Sequence, residues 1–121
     1  MKKILFVLNS LTFGGAERQT VTLINHLDPA RFDVGLLYLE RNESLLSSLN
    51  RDRLSVCECL DKKSKFDMAV LLKCHRHISS GTYDLVVCVN AYAMIYMSLC
   101  RLSTKNPFKL AVICQIGRAH V

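Results

Sequence analysis

Residues 3–18, KILFVLNSLTFGGAER, decide the fold of this 121-residue chain. The run from Ile4 to Leu8 is continuously apolar and is closed by Asn9 and Ser10, which is typical of a strand buried on both faces of a parallel sheet. Two glycines then precede a segment of helical periodicity. The stretch therefore indicates a strand, a glycine loop and a helix.

The same alternation continues to the end of the chain. The stripe Phe66, Val70, Cys74 and Ile78 indicates a longer helix that starts at Ser64 as candidate cap. The predicted strands are residues 3–9, 32–39, 54–60, 83–90 and 108–114, and the predicted helices are residues 16–27, 43–49, 64–80 and 91–103. This order predicts a Rossmann-like doubly wound α/β domain, with a parallel sheet of about five strands and helices on both faces.

Length and composition fit one globular domain, since half of the residues are hydrophobic and 21% are charged. The longest nearly apolar stretch, residues 91–100, is too short to span a bilayer, and the apolar run after Met1 is too short for a signal peptide.

The six cysteines are expected to be reduced, with Cys88 and Cys114 as packing residues. His75 and His77 fall on different helix faces, so no metal site is predicted.

A net charge of +6 would suit an anionic partner. The basic residues of the middle of the chain, however, carry no interleaved aromatic side chains for stacking on bases, so we expect no nucleic-acid partner. We interpret them as a solvated loop face. They are Arg51, Arg53, Lys62, Lys63 and Lys65.

The glycine loop is the candidate site. In parallel sheets ligands bind beyond the carboxyl ends of the strands, and the exposed amides of a helix start attract anions. Gly14 and Gly15 remove the Cβ atoms that would obstruct a phosphate, although the pair also suits a plain tight turn. The loop is neither a Walker loop nor a dinucleotide fingerprint. Glu40 follows the second strand, where we expect it in a solvated turn.

Two stretches carry a resemblance to a known family. Residues 3–18 resemble the opening of the group 1 glycosyltransferases (glycosyltransferase family 4, GT-B fold), and residues 83–90, YDLVVCVN, resemble a later strand of the same amino-terminal domain. The resemblance implies transfer of a sugar, without metal or cofactor, from a nucleotide-sugar donor to a glycan or lipid-linked acceptor. This chain would supply the acceptor side of a cleft between two domains.

The resemblance also assigns site residues. Gly14, Gly15 and Ala16 would meet the donor diphosphate, where amides stabilise charge on the leaving group. Arg18 would be a cation beside it or a solvated residue of the first helical turn. Asn90 and Tyr92 would line the cleft. No residue is assigned as catalytic. The resemblance implies a protein of the cytoplasm, either free or in peripheral contact with the inner face of the membrane.

The last seven residues, QIGRAHV, resemble the translation of a sequencing adapter, so we expect the domain to be residues 1–114 and residues 115–121 to be adapter read-through. The fragment would lack the donor-binding carboxyl-terminal GT-B domain and would be inactive alone. Resequencing the locus tests this: a reading frame that continues past Cys114 is expected, and a genomic stop after Val121 would refute it. The alternatives are a small non-catalytic nucleotide-binding or receiver-like α/β module and a GT-B epimerase fragment.

Overall fold

The computed structural model describes residues 2–11, 15–64, 66–81, 83–103 and 109–112. They form a five-stranded sheet in which every pairing is parallel. The strands are β1 (Lys2–Leu8), β2 (Phe32–Tyr38), β3 (Leu54–Cys59), β4 (Leu85–Cys88) and β5 (Lys109–Val112). The helices are α1 (Gly15–His26), α2 (Met68–Gly81) and α3 (Ala91–Ser103). The predicted α/β fold is confirmed.

The strands lie in the order β3-β2-β1-β4-β5. β1 is central, with Phe6 beside Leu36 of β2 and Val87 of β4. The chain moves outward from β1 in one direction through β2 and β3, and then in the other direction through β4 and β5. A topological switch point therefore lies between β1 and β4, which is where ligands bind in folds of this order. A receiver-like fold has the order 2-1-3-4-5 instead, so the observed order argues against that alternative.

Alternating residues of β1 divide the core between the two faces of the sheet. Phe6 belongs to a buried cluster with Val21 and Ile24 of α1. Leu5 belongs to a second cluster with Cys74 of α2 and Tyr96 of α3. Helices thus cover both faces, as the two-sided apolar strands require. Within the described ranges, none of the helices combines the length and apolar character that crossing a membrane would need.

Two of the helix predictions need correction. Residues 43–49 form only a short 3-10 turn, Leu46–Ser48. The helix predicted from Ser64 begins at Met68, and its amino-terminal cap is Asp67. Asp67 Oδ1 accepts the N–H of Ala69 at 3.0 Å, whereas the Ser64 hydroxyl donates to the carbonyl of Phe66 at 2.9 Å. Ser64 therefore makes its hydrogen bond in the preceding loop, and the carboxylate of Asp67 accepts a free backbone N–H in the first turn of the helix.

The cap gives a pH-dependent prediction. The backbone N–H of Lys63, followed by that of Ala69, lowers the pKa of Asp67 below its ordinary value. A lowered pKa in the folded state means that the charged carboxylate stabilises the fold above the unfolded pKa of about 3.9, and that this contribution disappears as the pH falls through the folded pKa. We expect Asp67→Asn to lower the melting temperature near neutral pH, with the difference from wild type shrinking as the pH falls below about 3.9 and through the folded pKa. A pH-independent difference would contradict the assignment.

None of the described cysteines, Cys57, Cys59, Cys74, Cys88 and Cys100, forms a disulfide bond. Three of them, Cys74, Cys88 and Cys100, are buried in the cluster between the sheet and helices α2 and α3. The expectation that Cys88 is a packing residue is confirmed, while Cys114 lies outside the described residues.

Candidate functional site

Backbone hydrogen bonds fix the loops at the carboxyl edge of the sheet. The carbonyl of Asn9 accepts the N–H of Glu40 at 2.6 Å, and Leu11 N–H donates to the carbonyl of Asn42 at 2.8 Å. Lys62 N–H donates to the carbonyl of Leu39 at 2.6 Å. The ends of β1, β2 and β3 are therefore tied together beyond the strands, which gives this edge a defined geometry.

The β1/β4 crevice, between residues 9–11 and residues 89–92, lies at the switch point. Asn9 N–H donates to Oδ1 of Asn90 at 3.0 Å, and Val89 N–H donates to the carbonyl of Val7 at 3.0 Å. Both asparagine side chains are half-buried. The loops diverge from this point because α1 packs on one face of the sheet and α3 on the other.

Lys62 is a buried charged side chain at this edge. Its side chain is only 2% exposed, and its ammonium lies 2.9 Å from Oδ1 of Asn9 and 3.3 Å from a carboxylate oxygen of Glu40. The same nitrogen is 3.7 Å from the centroid of the Tyr92 ring. A buried ammonium needs such partners, since an unpaired one would be strongly disfavoured. Lys62 thus joins the ends of β1, β2 and β3 to the first turn of α3.

A cleft of about 440 Å³ opens beside this ammonium, and we call it the Lys62 cleft. Its lining residues are Glu40, Arg41, Asn42, Lys62, Lys63, Ser64 and Tyr92. They come from the turns after β2 and β3 and from the start of α3. The cleft is therefore built from the carboxyl edge of the sheet, next to the switch point.

Most of the charge in the Lys62 cleft is balanced. Arg41 Nη1 lies 3.4 Å from a carboxylate oxygen of Glu43, and Arg41 Nε lies 3.9 Å from Asp61. Asp61 has φ of 61°, a left-handed conformation that aspartate tolerates better than most residues, and it directly precedes Lys62. The cleft offers donors and acceptors side by side, a pattern that suits hydroxyl groups better than a multiply charged anion.

The predicted diphosphate residues lie at the start of α1. Gly15 is its exposed first residue, and Ala16 is half-buried against the core. Gly14 lies outside the described residues. Arg18 is exposed and lines a shallow groove along the outer surface of α1 together with Leu23, and that groove shares no residue with the Lys62 cleft. Arg18 thus borders a different surface from the predicted cleft residues.

The structure brings the other two predicted residues together. Asn90 lies in the β1/β4 crevice, and the half-buried ring of Tyr92 borders the adjoining Lys62 cleft. Burial raises the pKa of the neighbouring Cys88 thiol to about 12, so this cysteine stays protonated and is a poor nucleophile at neutral pH. The groups that remain for chemistry at this edge are amides, hydroxyls, carboxylates and the cations of Arg41, Lys62 and Lys63.

Lys62 was assigned to a solvated loop face, and for this residue the interpretation is wrong. A lysine in a basic stretch is exposed more often than not, and nothing local distinguished it from Lys63, which is exposed. Glu40 likewise pairs with Lys62 instead of facing only solvent. Its position in the sequence could have indicated this role, because Lys62 follows a predicted strand and so lies at the edge of the sheet where polar side chains converge.

Among the described residues, no group of three or more histidine, cysteine or acidic side chains is arranged to hold a metal ion. No protein-family model matches this chain, and none of the curated proteins matches it. The resemblance to the glycosyltransferases therefore rests on residues 3–18 and 83–90.

Proposed function

We propose that this chain is the acceptor-side Rossmann-like domain of a GT-B glycosyltransferase. One observation carries the proposal: the two stretches that resemble the family contain the neighbouring strands β1 and β4, and directly after these strands Asn9 N–H donates to Oδ1 of Asn90 at 3.0 Å. Segments about 80 residues apart thus converge on the crevice where α/β sheets of this order bind ligands.

In this proposal the acceptor lies over the β1/β4 crevice and the Lys62 cleft. The sugar donor is a nucleotide sugar bound mainly by a second domain, and its diphosphate meets the start of α1 at Gly15. Amides at a helix start favour the charge that develops on a leaving diphosphate. No metal ion or cofactor takes part, and the protein acts in the cytoplasm.

The experiment uses the protein encoded by the complete gene and measures sugar transfer or hydrolysis of a nucleotide sugar. We expect Gly15→Val to lower turnover by about a hundredfold or more, because a branched side chain obstructs the approach of the diphosphate to the helix start. Thr22→Val is the matched control, since it adds the same side chain at an exposed position of α1 and is expected to retain activity.

Full activity of Gly15→Val in a folded protein would remove the role of the glycine loop. The chain of 121 residues is expected to show no transfer by itself. Turnover by this chain alone would overturn the assignment of donor binding to a second domain.

A further inference from the structure

The carboxamide of Asn9 has a defined orientation. Its Oδ1 lies 2.9 Å from the ammonium of Lys62, and an ammonium can only donate hydrogen bonds. The oxygen of the carboxamide must therefore face Lys62, which directs the Nδ2 donor group away from the lysine. The nearly complete burial of the Lys62 side chain holds this arrangement in place.

Asn90 is oriented by the same logic. Its Oδ1 accepts the backbone N–H of Asn9 at 3.0 Å. Because a backbone N–H can only donate, the carboxamide atom that faces it must be the oxygen. Its Nδ2 is left as a second amide donor. Two oriented carboxamides thus lie on adjacent strand ends, and both use their oxygen for the protein.

Both Nδ2 groups are in contact with solvent. Neither nitrogen has a hydrogen-bond partner among the described residues. In the same part of the chain, no buried side-chain nitrogen or oxygen lacks a partner. The two unpartnered nitrogens are therefore in contact with solvent, and a ligand oxygen can replace water there at little cost.

The ion pair of Glu40 and Lys62 beside the crevice favours a hydroxyl oxygen of the ligand over a phosphate oxygen. The Glu40 carboxylate lies 3.3 Å from the Lys62 ammonium and its side chain is 46% exposed, so the positive charge of the lysine is already balanced. A phosphate would meet that carboxylate and gain little from the paired ammonium. A hydroxyl group can accept from an amide and donate to a carboxylate at once.

We propose that Asn9 and Asn90 each bind a hydroxyl oxygen of a neutral sugar through Nδ2, and that Lys62 is the positioning residue that orients Asn9. The inference takes the identity of the ligand as a sugar from the proposed function, whereas the orientation of the amides stands without it. With these two amide donors, the acceptor subsite selects neutral sugar hydroxyl groups over phosphate groups.

The test is an NMR titration of the 121-residue chain, which follows the side-chain NH₂ resonances of its asparagines. The probes are methyl β-glucoside, methyl β-galactoside and inorganic phosphate. We expect at least one glycoside to shift the NH₂ resonances of Asn9 and Asn90 in a saturable manner, and phosphate to leave them unchanged.

The decisive variants are Asn9→Asp and Asn90→Asp. Each substitution keeps a side-chain oxygen for the present hydrogen-bond partner, so we expect the fold to be retained. Each also replaces the Nδ2 donor with an oxygen that can only accept, so we expect the glycoside affinity to fall about tenfold. Asn50→Asp, with an exposed side chain, is the control of equal charge change. Lys62→Met is expected to abolish the Asn9 response. A purely structural Lys62 would leave that response intact.

The outcomes separate the two proposals. A shift with phosphate but with neither glycoside would overturn the selectivity for neutral hydroxyl groups. Equal glycoside affinity in wild type, Asn9→Asp and Asn90→Asp would overturn the subsite itself, as would the absence of any response to the glycosides. If the complete protein transfers sugar but these amides do not respond, only the subsite fails. If they respond but no transfer occurs, only the transferase proposal fails.

Discussion

Phe6→Ala is expected to lower the free energy of unfolding by about 3–5 kcal/mol. Phe6 is 2% exposed in the middle of the central strand, between Leu36 and Val87 on the neighbouring strands. Alanine would lose the transfer free energy of the ring and leave a cavity against α1, which a sheet paired on both sides cannot close. Chemical denaturation followed by circular dichroism measures the loss.

A loss of this size is a large fraction of the stability of a small domain, which is commonly about 5–15 kcal/mol. Leu102→Ala is the control, because Leu102 on α3 is 86% exposed and its truncation is expected to change stability by no more than about 0.5 kcal/mol. If Phe6→Ala and Leu102→Ala had equal effects, β1 would not be the central strand of the core.

Gly81→Ala is the second substitution with a large expected effect. A Cβ atom at Gly81 would lie 2.3 Å from Cε2 of Tyr83 and 2.9 Å from two further ring atoms. Tyr83 is 7% exposed and packs in the cluster beneath α2, so its ring has little room to move. We expect a loss of about 1–3 kcal/mol from this overpacking, measured by the same denaturation.

Gly35→Ala is the matched control for Gly81→Ala. Its Cβ would meet Leu5 Cδ1, the end of a flexible side chain, at 3.2 Å and no other atom closer than 3.4 Å. The smaller overlap is partly offset by the reduced conformational entropy of the unfolded chain, so the loss is expected to stay under about 1 kcal/mol. A reversed ranking of the two variants would contradict the packing of Tyr83 against the end of α2.

The fold was predictable because each element carries its own pattern. Continuous apolar runs marked β1 and β4 as strands covered on both faces, and helical periodicity marked α1 and α2. The misplaced start of α2 has a physical reason. Ser64 and Asp67 are both good capping residues, and the choice between them depends on a tertiary hydrogen bond, in which Asp67 N–H donates to the hydroxyl of Tyr96 at 2.7 Å.

The candidate site was only half predictable. Asn90 and Tyr92 follow a recognisable strand, so their place at the carboxyl edge could be inferred from the order of elements. Lys62 and Asn9 are separated by 53 positions, and their 2.9 Å contact exists only because β1, β2 and β3 end side by side. A sequence pattern that describes each element singly carries no information on such a contact.

The central claim, that the ligand site lies at the β1/β4 crevice, is tested most directly by photoaffinity labelling with a neutral glycoside that carries a diazirine. Peptide mass spectrometry of the labelled protein is expected to find the modification within residues 9–11 or 89–92, with competition by the unlabelled glycoside. Labelling confined to the groove along α1 that Arg18 and Leu23 line would contradict the claim.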